Sequence, residues 1–544
     1  MPGFLRSQEV ERKPDESWNI WNKQQRKGHY MLRCLKLLIV LIPFTCQLFA
    51  VSAAEILPGY VLYAPATGNS AYLVDVNGEI VYRWTGLKQG NSFSVHLKKN
   101  GNIVRPSDTD VRHNIGGVSA GGLIEEIDPD GNTVWSLDYA STEYCQHHNL
   151  ILMPDENILA VAYEKKTAQE AEAWGIEVSS SPWGGGGGSL LAERIVEIDP
   201  TKPQGQEIVW MWSMWDHMVR AEEAPNNPQL FGADLGKSES GGFMTVSDWV
   251  HLNGFDYNEK LDQIVFSSRQ FSEIYIIDHS TTTQEAATNS GGRSGKGGNI
   301  LYRWGRPSNY GANGTDHLNV VHCPNWVPEG YPGEGNILMF SNQASQSTSA
   351  VLEIVPPLKS DYTYEYTQGQ GFGPENPVWK YTENGFKSDF MSGCQRLSNG
   401  NTLTCEAAEG RIREVSSSGQ TLWEYTHSGS GGGGGGFWGG GGTMIARAIK
   451  YPENHPGIQK LLGTKTKFSS RATEKNINIK YSAGKIEITG AAGSRISVFS
   501  IQGKNLLNVN IPDNRYSLDL NHFSHGTYIV KADRNVTKTI SILR

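Results

Sequence analysis

The chain has 544 residues, a formal net charge of −8 and a pI near 6.0, which argues against a basic nucleic-acid binder. Charged residues make up 19% and apolar residues 38%, which argues against a mostly disordered chain. Glycine at 62 positions with 15 Trp and 22 Tyr suits many short strands joined by tight turns, and the absence of a three-residue glycine period excludes collagen.

Residues 1–30 are polar and charged. Next come MLRCLK from Met31 and the run LLIVLIPFTCQLFAVSA. A short basic start, an apolar run and small residues at Val51 and Ala53 predict a cleaved signal peptide within residues 1–53, with Met31 as a candidate start. A membrane anchor is the alternative, disfavoured by Pro43 and the small residues at the end. No other segment has the length and apolarity to span a bilayer. Cys34 and Cys46 leave with the signal. Cys145, Cys323, Cys394 and Cys405 remain, without CxxC spacing for zinc but with one or two disulfides open to an exported chain.

Residues 54–460 carry a repeat. An apolar strand, a glycine turn and an aromatic strand recur as LVDVNGEIVYRW (73–84), IEEIDPDGNTVWSLDY (124–139) and IVEIDPTKPQGQEIVWMW (195–212). They return around 274–304, 351–381 and 412–425, six copies in all. A second hairpin alternates with these: LKKNGNIV, LMPDENILAV, DYNEKLDQIVFSS, VPEGYPGEGNILMFSN and RLSNGNTLTC. Two hairpins per repeat make about four strands per unit, so the expected fold is all-β, a six-bladed β-propeller; paired β-sandwiches are the runner-up. The runs Gly184–Gly188 and Gly431–Gly442 read as flexible loops, and no Gly-Lys-Ser/Thr is present to make them phosphate cradles. Residues 461–475 read as a linker and 476–544 as a small C-terminal β-sandwich.

Three histidines fall at one register of the second hairpin. His148, His251 and His322 precede Pro154, Tyr257 and Pro328 by six residues each. Ser392 and Phe93 take that position in two other copies. In a propeller the first strand of every blade lines the axis, so equivalent positions converge. The plainer reading is three unrelated histidines satisfied within their own sheets. Asn253 adds a neutral donor, and Arg269 in VFSSRQ follows a strand leading inward. Three histidines would suit a metal. Against this, no acidic residue joins the register and Arg269 would repel a dication. No metal and no cofactor are therefore expected. A nucleophilic imidazole, with donors around an anionic group, fits phosphoryl or sulfuryl transfer.

DWVHLNGFDYNEKLDQIVFSSRQFSEIYIIDHST (248–281), VHCPNWVPEGYPGEGNILMFSNQ (321–343), MWDHMV (214–219) and CQRLSNGNTLTCEAAEGRIREV (394–415) resemble blocks of the bacterial aryl-sulfate sulfotransferases. The resemblance implies a six-bladed propeller that moves a sulfuryl group from an aryl sulfate to a phenol on an enzyme histidine, without nucleotide-activated sulfate. By position it makes His322 the nucleophile. It sets His251, Asn253 and Arg269 on the sulfuryl oxygens, with His148 as the remaining active-site histidine. His147 is an awkward neighbour, and Trp326 is a candidate for stacking on the substrate ring or for core packing. The family commonly reads His-His-Asp where this chain has His147-His148-Asn149, which removes a charge if that carboxylate orients an imidazole. The C-terminal block, with Gly503 in SIQGK and GTYIVK at 526–531, resembles the type A sorting domain of the type IX secretion system. This implies export through the periplasm to the surface or medium, with the secretion machinery as partner. A sugar-binding sandwich is the alternative. The expected small-molecule partners are aryl sulfates and phenols, with no nucleic acid; the oligomeric state stays open. The rival functions are a non-catalytic adhesive or sugar-binding propeller and a metal- or quinone-dependent oxidoreductase.

Overall fold

Each recurrent hairpin is present, and two hairpins make each sheet. In a computed structural model the described residues are 55–463, apart from 67, 89–92, 110–114, 116–120, 177, 179–187, 234–247 and 428–442. They continue over 478–542, apart from 483–484, 490–494, 502–503, 511–514 and 533–535. The expected signal peptide, nearly all of both glycine runs and most of the expected linker lie outside them. Among the described residues no helix is long and apolar enough to cross a membrane.

Six four-stranded antiparallel sheets follow one another between Tyr60 and Tyr451. In the second to sixth, chain order is sheet order. The third sheet runs Tyr144–Leu152, Ile158–Thr167, Ser189–Ile198 and Ile208–Ser213. The fourth begins at Leu252–Asn258 and the fifth at Val321–Trp326. The first sheet is assembled differently. Its first strand, Ala448–Tyr451, comes from the far end of the repeat region and pairs Tyr451 with Tyr60 and Ala448 with Tyr63. The sixth polar-turn hairpin is therefore split between distant stretches of chain, which is why only five read as continuous sequence.

Burial explains the two hairpin types. Strands such as Gln263–Ser268, Glu273–Asp278 and Ala350–Ile354 are buried throughout, so they carry short apolar runs (IVF, IYII, AVL) with polar residues only where a partner is present or the strand ends. Outer strands such as Thr133–Asp138 and Thr421–Thr426 are largely exposed and mixed in polarity. A clasp recurs across the sheets. The Asn of the polar turn donates Nδ2–H to a Glu on the third strand: Asn102 to Glu126 (2.6 Å), Asn157 to Glu197 (2.6 Å), Asn336 to Glu353 (2.7 Å) and Asn401 to Glu414 (2.6 Å). Outer-strand tryptophans tie four of the sheets to the next. The indoles of Trp84, Trp212, Trp304 and Trp379 donate to the carbonyls of Asp128, Gly298, Pro374 and Ser417 at 2.8–3.1 Å. The repeat's aromatic residue thus serves packing between sheets.

The four described cysteines are buried free thiols, so the disulfides left open by the sequence are not formed. The helix Pro456–Leu462 buries Ile458 in one apolar cluster with Leu97 and the first-sheet residues Leu62 and Leu73. Beyond it, a three-stranded sheet and a four-stranded sheet share one cluster built from Ile479, Ile486, Ile488, Ile496, Val498, Val530 and Ile540.

Candidate active site

The three register histidines sit where the first strands of adjacent sheets lose their regular pairing. The register shifts between Gln146 and Leu150, between Leu252 and Gly254, and between His322 and Asn325. A bulge bends a strand and re-aims its side chains, a device common beside active sites. His148, His251 and Ser392 have positive φ (48°, 54° and 82°), and so has Cys323 beside His322 (52°). The same left-handed backbone at one register in several sheets is a local cost that persists because the surrounding structure holds it.

The side chains converge. The rings of His148 and His251 lie edge-to-face with centroids 4.5 Å apart, and Phe93 stacks on His148 from the other side at 5.4 Å. All three histidines are buried, at 6%, 2% and 4% exposure for His148, His251 and His322. His322 Nδ1 lies 2.6 Å from Asn342 Oδ1. The Asn342 amide nitrogen donates to the carbonyls of Ser388 and Met391 (2.9 and 3.0 Å). That arrangement turns Oδ1 toward His322, so Nδ1 carries the ring hydrogen and Nε2 the lone pair. That lone pair accepts the Met391 backbone N–H at 3.2 Å. Burial pushes the His322 pKa well below its ordinary value, and Arg269, His251 and Arg447 push the same way, against the opposing effect of Asn342. The imidazole is neutral at physiological pH.

Arg269 follows its strand immediately, with its backbone N–H donated to His251 O (3.1 Å). Its guanidinium makes one long side-chain hydrogen bond, to Gln270 at 3.4 Å, and no other among the described residues. Asn253 donates to Val321 O (2.8 Å) and accepts from Ser267 Oγ (2.6 Å), tying the fourth sheet to the residue before His322; one amide hydrogen remains.

Several site residues were not legible in the sequence. Asp248 Oδ2 lies 2.7 Å from His251 Nδ1, so an acidic residue does join the cluster, three positions before the register histidine. Glu193, wholly buried on the third strand of the third sheet, lies 2.8 Å from His147 Nε2 and accepts the Leu252 amide at 2.9 Å. Arg447, just before the closing strand, donates to Asn253 O (2.7 Å) and Cys323 Sγ (3.1 Å). It passes over Gly254, where a Cβ would meet its guanidinium at 2.5 Å. His96, on the first strand of the second sheet, is held down to about 4 by burial and then by Arg447.

Two sequence candidates stand apart from the cluster. His147 is fully buried behind His148, lying flat on Tyr163 at 3.7 Å. Trp326 ends the strand Val321–Trp326 that holds His322 near its start; its backbone N–H goes to Asp256 and its ring packs with Ile337, Met339 and Leu352. Asn149 orients no imidazole: both polar atoms of its buried side chain lack a hydrogen-bond partner among the described residues. His148 is held instead by His147, Nδ1 to Nδ1 at 2.6 Å. The acids and histidines are close, but they bond one another, His251 with Asp248 and His148 through His147 with Glu193. Among the described residues no three His, Cys, Asp or Glu side chains are arranged to hold a metal ion.

The arrangement is a neutral imidazole with a fixed tautomer, with the charges of Arg269 and Arg447 acting on it and two further imidazoles in the same cluster. Comparison with known proteins bears on what that serves. Among solved structures, a Bacteroides caccae protein of unknown function is 14% identical with a TM-score of 0.39, over 72% of this chain and 98% of its own. The β-propeller domain of Myceliophteria thermophila Cps50 (Swd1) is 8% identical with a TM-score of 0.33, over 68% and 87%. A catalytically inactive virginiamycin B lyase from Staphylococcus aureus is 9% identical with a TM-score of 0.28, over 82% and 94%. No curated protein matches the chain. The profile of the secretion system C-terminal sorting domain matches residues 473–543. That of arylsulfotransferase (ASST) matches residues 44–431, a span holding nearly all of the six sheets and every residue of the cluster except Arg447, and the chain belongs to the arylsulfotransferase family.

Proposed function

We propose that the protein is a six-bladed propeller enzyme that transfers a sulfuryl group from an aryl sulfate to a phenol by a ping-pong reaction on His322. The observation that carries this reading is the Asn342–His322 contact, which puts the lone pair of a neutral ring on Nε2, where the Met391 amide holds it until sulfur takes its place, while the nearby Arg269 guanidinium makes one long side-chain hydrogen bond among the described residues. The six sheets are its blades, closed by Ala448–Tyr451 pairing with Tyr60–Tyr63. In the first half-reaction Nε2 attacks sulfur, the N–S bond forms and the S–O(aryl) bond breaks. Arg269, His251 and Asn253 hold the sulfuryl oxygens, and His148 protonates the departing phenolate. In the second half-reaction an acceptor phenol gives its proton to His148 and takes the sulfuryl group, restoring His322. A phenolate has a parent pKa of about 10, so a placed proton assists its departure.

The test is to add donor without acceptor, quench, and map the added sulfo group by mass spectrometry. Label is expected on His322. His322→Asn abolishes both half-reactions because one imidazole serves in each, whereas His251→Asn slows both and leaves measurable turnover. Label on His251 or His148, or full turnover by His322→Asn, would refute the assignment.

Export is part of the proposal. The signal within residues 1–53 leads the chain to the periplasm, and the C-terminal block, a two-sheet sandwich, addresses it to the type IX machinery. Deleting residues 476–544 should leave an active propeller in the periplasm. Arrival of the truncated protein at the surface would contradict the sorting role.

A further inference from the structure

Behind His148 runs a single buried hydrogen-bonded path. His148 Nδ1 is 2.6 Å from His147 Nδ1, and His147 Nε2 is 2.8 Å from Glu193 Oε2. The other Glu193 oxygen is taken by the Leu252 amide at 2.9 Å. His147 cannot turn, because its ring lies on Tyr163 with planes 10° apart. Glu193 and His147 are each 0% exposed. At the other end, His148 Nε2 makes no hydrogen bond among the described residues and sits beside His251.

A Nδ1–Nδ1 contact has one hydrogen between two nitrogens, so each ring's tautomer sets the other's. If Glu193 is a carboxylic acid, its O–H donates to His147 Nε2, His147 Nδ1–H donates to His148 Nδ1, and His148 presents Nε2–H. If Glu193 is a carboxylate, every hydrogen shifts one step and His148 presents a lone pair. We propose that Glu193, His147 and His148 form a proton relay, in which Glu193 holds the proton that the leaving phenolate takes and receives it back from the acceptor phenol. This rests on the sulfuryl-transfer reading.

The steps balance. In the first half-reaction His148 Nε2–H goes to the phenolate oxygen, His147 Nδ1–H to His148 Nδ1, and the Glu193 proton to His147 Nε2. Phenol leaves neutral, Glu193 is left ionised, and both imidazoles are neutral before and after. The second half-reaction reverses each transfer. The charges around Glu193 suit this. Burial, and then Asp248, raise its pKa well above the carboxylate range, with the Leu252 amide and His251 opposing. Burial holds His147 down to about 3, so the contact joins a neutral acid to a neutral ring and is not an ion pair. A relay that never leaves an imidazolium on His148 avoids adding a cation near Arg447, whose charge acts on His148. Glu193 and His147 act through His148, which alone meets substrate.

The experiment measures single-turnover phenol release from two donors by wild-type protein and by Glu193→Gln. The glutamine keeps an oxygen for Leu252 but cannot give up a proton. Phenyl sulfate, whose leaving group needs the proton, should slow by about 100-fold or more, and para-nitrophenyl sulfate by less than about tenfold. His147→Gln should give the same selective loss and serves if Glu193→Gln fails to fold. Equal slowing of both donors, or no slowing, overturns the relay while the transfer reading stands. If wild-type protein forms no sulfo-histidine from either donor, the transfer reading falls and the relay with it.

Discussion

Asn342 fixes which nitrogen of His322 is available for reaction. Its Oδ1 lies 2.6 Å from His322 Nδ1, and its own amide is held by two carbonyls from the segment that enters the sixth sheet. The tautomer of the proposed nucleophile is thus set by a residue next to the neighbouring strand of its own sheet, itself oriented from across a sheet boundary.

Asn342→Leu removes the acceptor, frees the tautomer and takes away the amide donor to the Ser388 and Met391 carbonyls. Sulfo-enzyme formation should slow by about 10–100-fold, the usual effect of losing a group that orients a functional histidine. Rapid-quench measurement of the first half-reaction checks this, and an unchanged rate would detach the contact from the chemistry.

The depressed His322 pKa has a consequence for pH. A free histidine near 6.5 would lose its nucleophilic form as pH falls through that value. Here burial, reinforced by Arg269, His251 and Arg447, keeps the neutral ring to lower pH. The rate of His322 sulfation should therefore show no acid limb between pH about 7 and about 6. A single-turnover pH profile with an acid limb near 6.5 that persists in His251→Asn would contradict it.

His279 runs the other way and concerns stability. It joins the third and fourth sheets, with Nδ1 2.8 Å from Asp262 and Nε2 3.1 Å from Glu197. Burial lowers its pKa, but the hydrogen bonds and charges of both carboxylates outweigh burial and hold it up to about 9. A raised histidine contributes stability that is complete below the unfolded value of about 6.5 and is lost as pH rises through about 9. That interval corresponds to about 3 kcal/mol at most. Urea unfolding of wild type and His279→Gln should therefore give a large difference at pH 6 that shrinks by pH 9.5. A difference independent of pH would show that the site stays neutral.

Part of the architecture was legible because it repeats. The glycine-turn hairpin recurs as a whole, and the asparagine of the polar turn meets a glutamate on the third strand in four sheets. These contacts are local to one repeat and leave a pattern at fixed spacing. His148, His251, His322 and Ser392 were in register for the same reason, and that register coincides with the bulged first strands. Trp326 illustrates the limit. Sequence proximity to His322 suggested the site, but it caps the opposite end of a six-residue strand, and the extended backbone carries its ring into the core between the fourth and fifth sheets.

By itself the sequence determined the kind of strand, the repeat, the shared register of three histidines and the C-terminal sorting domain, since each is written in adjacent residues. Tertiary structure alone decided which groups stand behind those histidines. Asn342 reaches His322 from the next strand, and Glu193 reaches His147 from two strands away. Arg447 arrives from the closing strand, whose partner Tyr60–Tyr63 lies at the other end of the repeat region. Hydrogen bonds and charges act over a few ångströms of space whatever the distance along the chain, so the His322 tautomer, its lowered pKa and the raised pKa of Glu193 arise only once the sheets have brought those residues together.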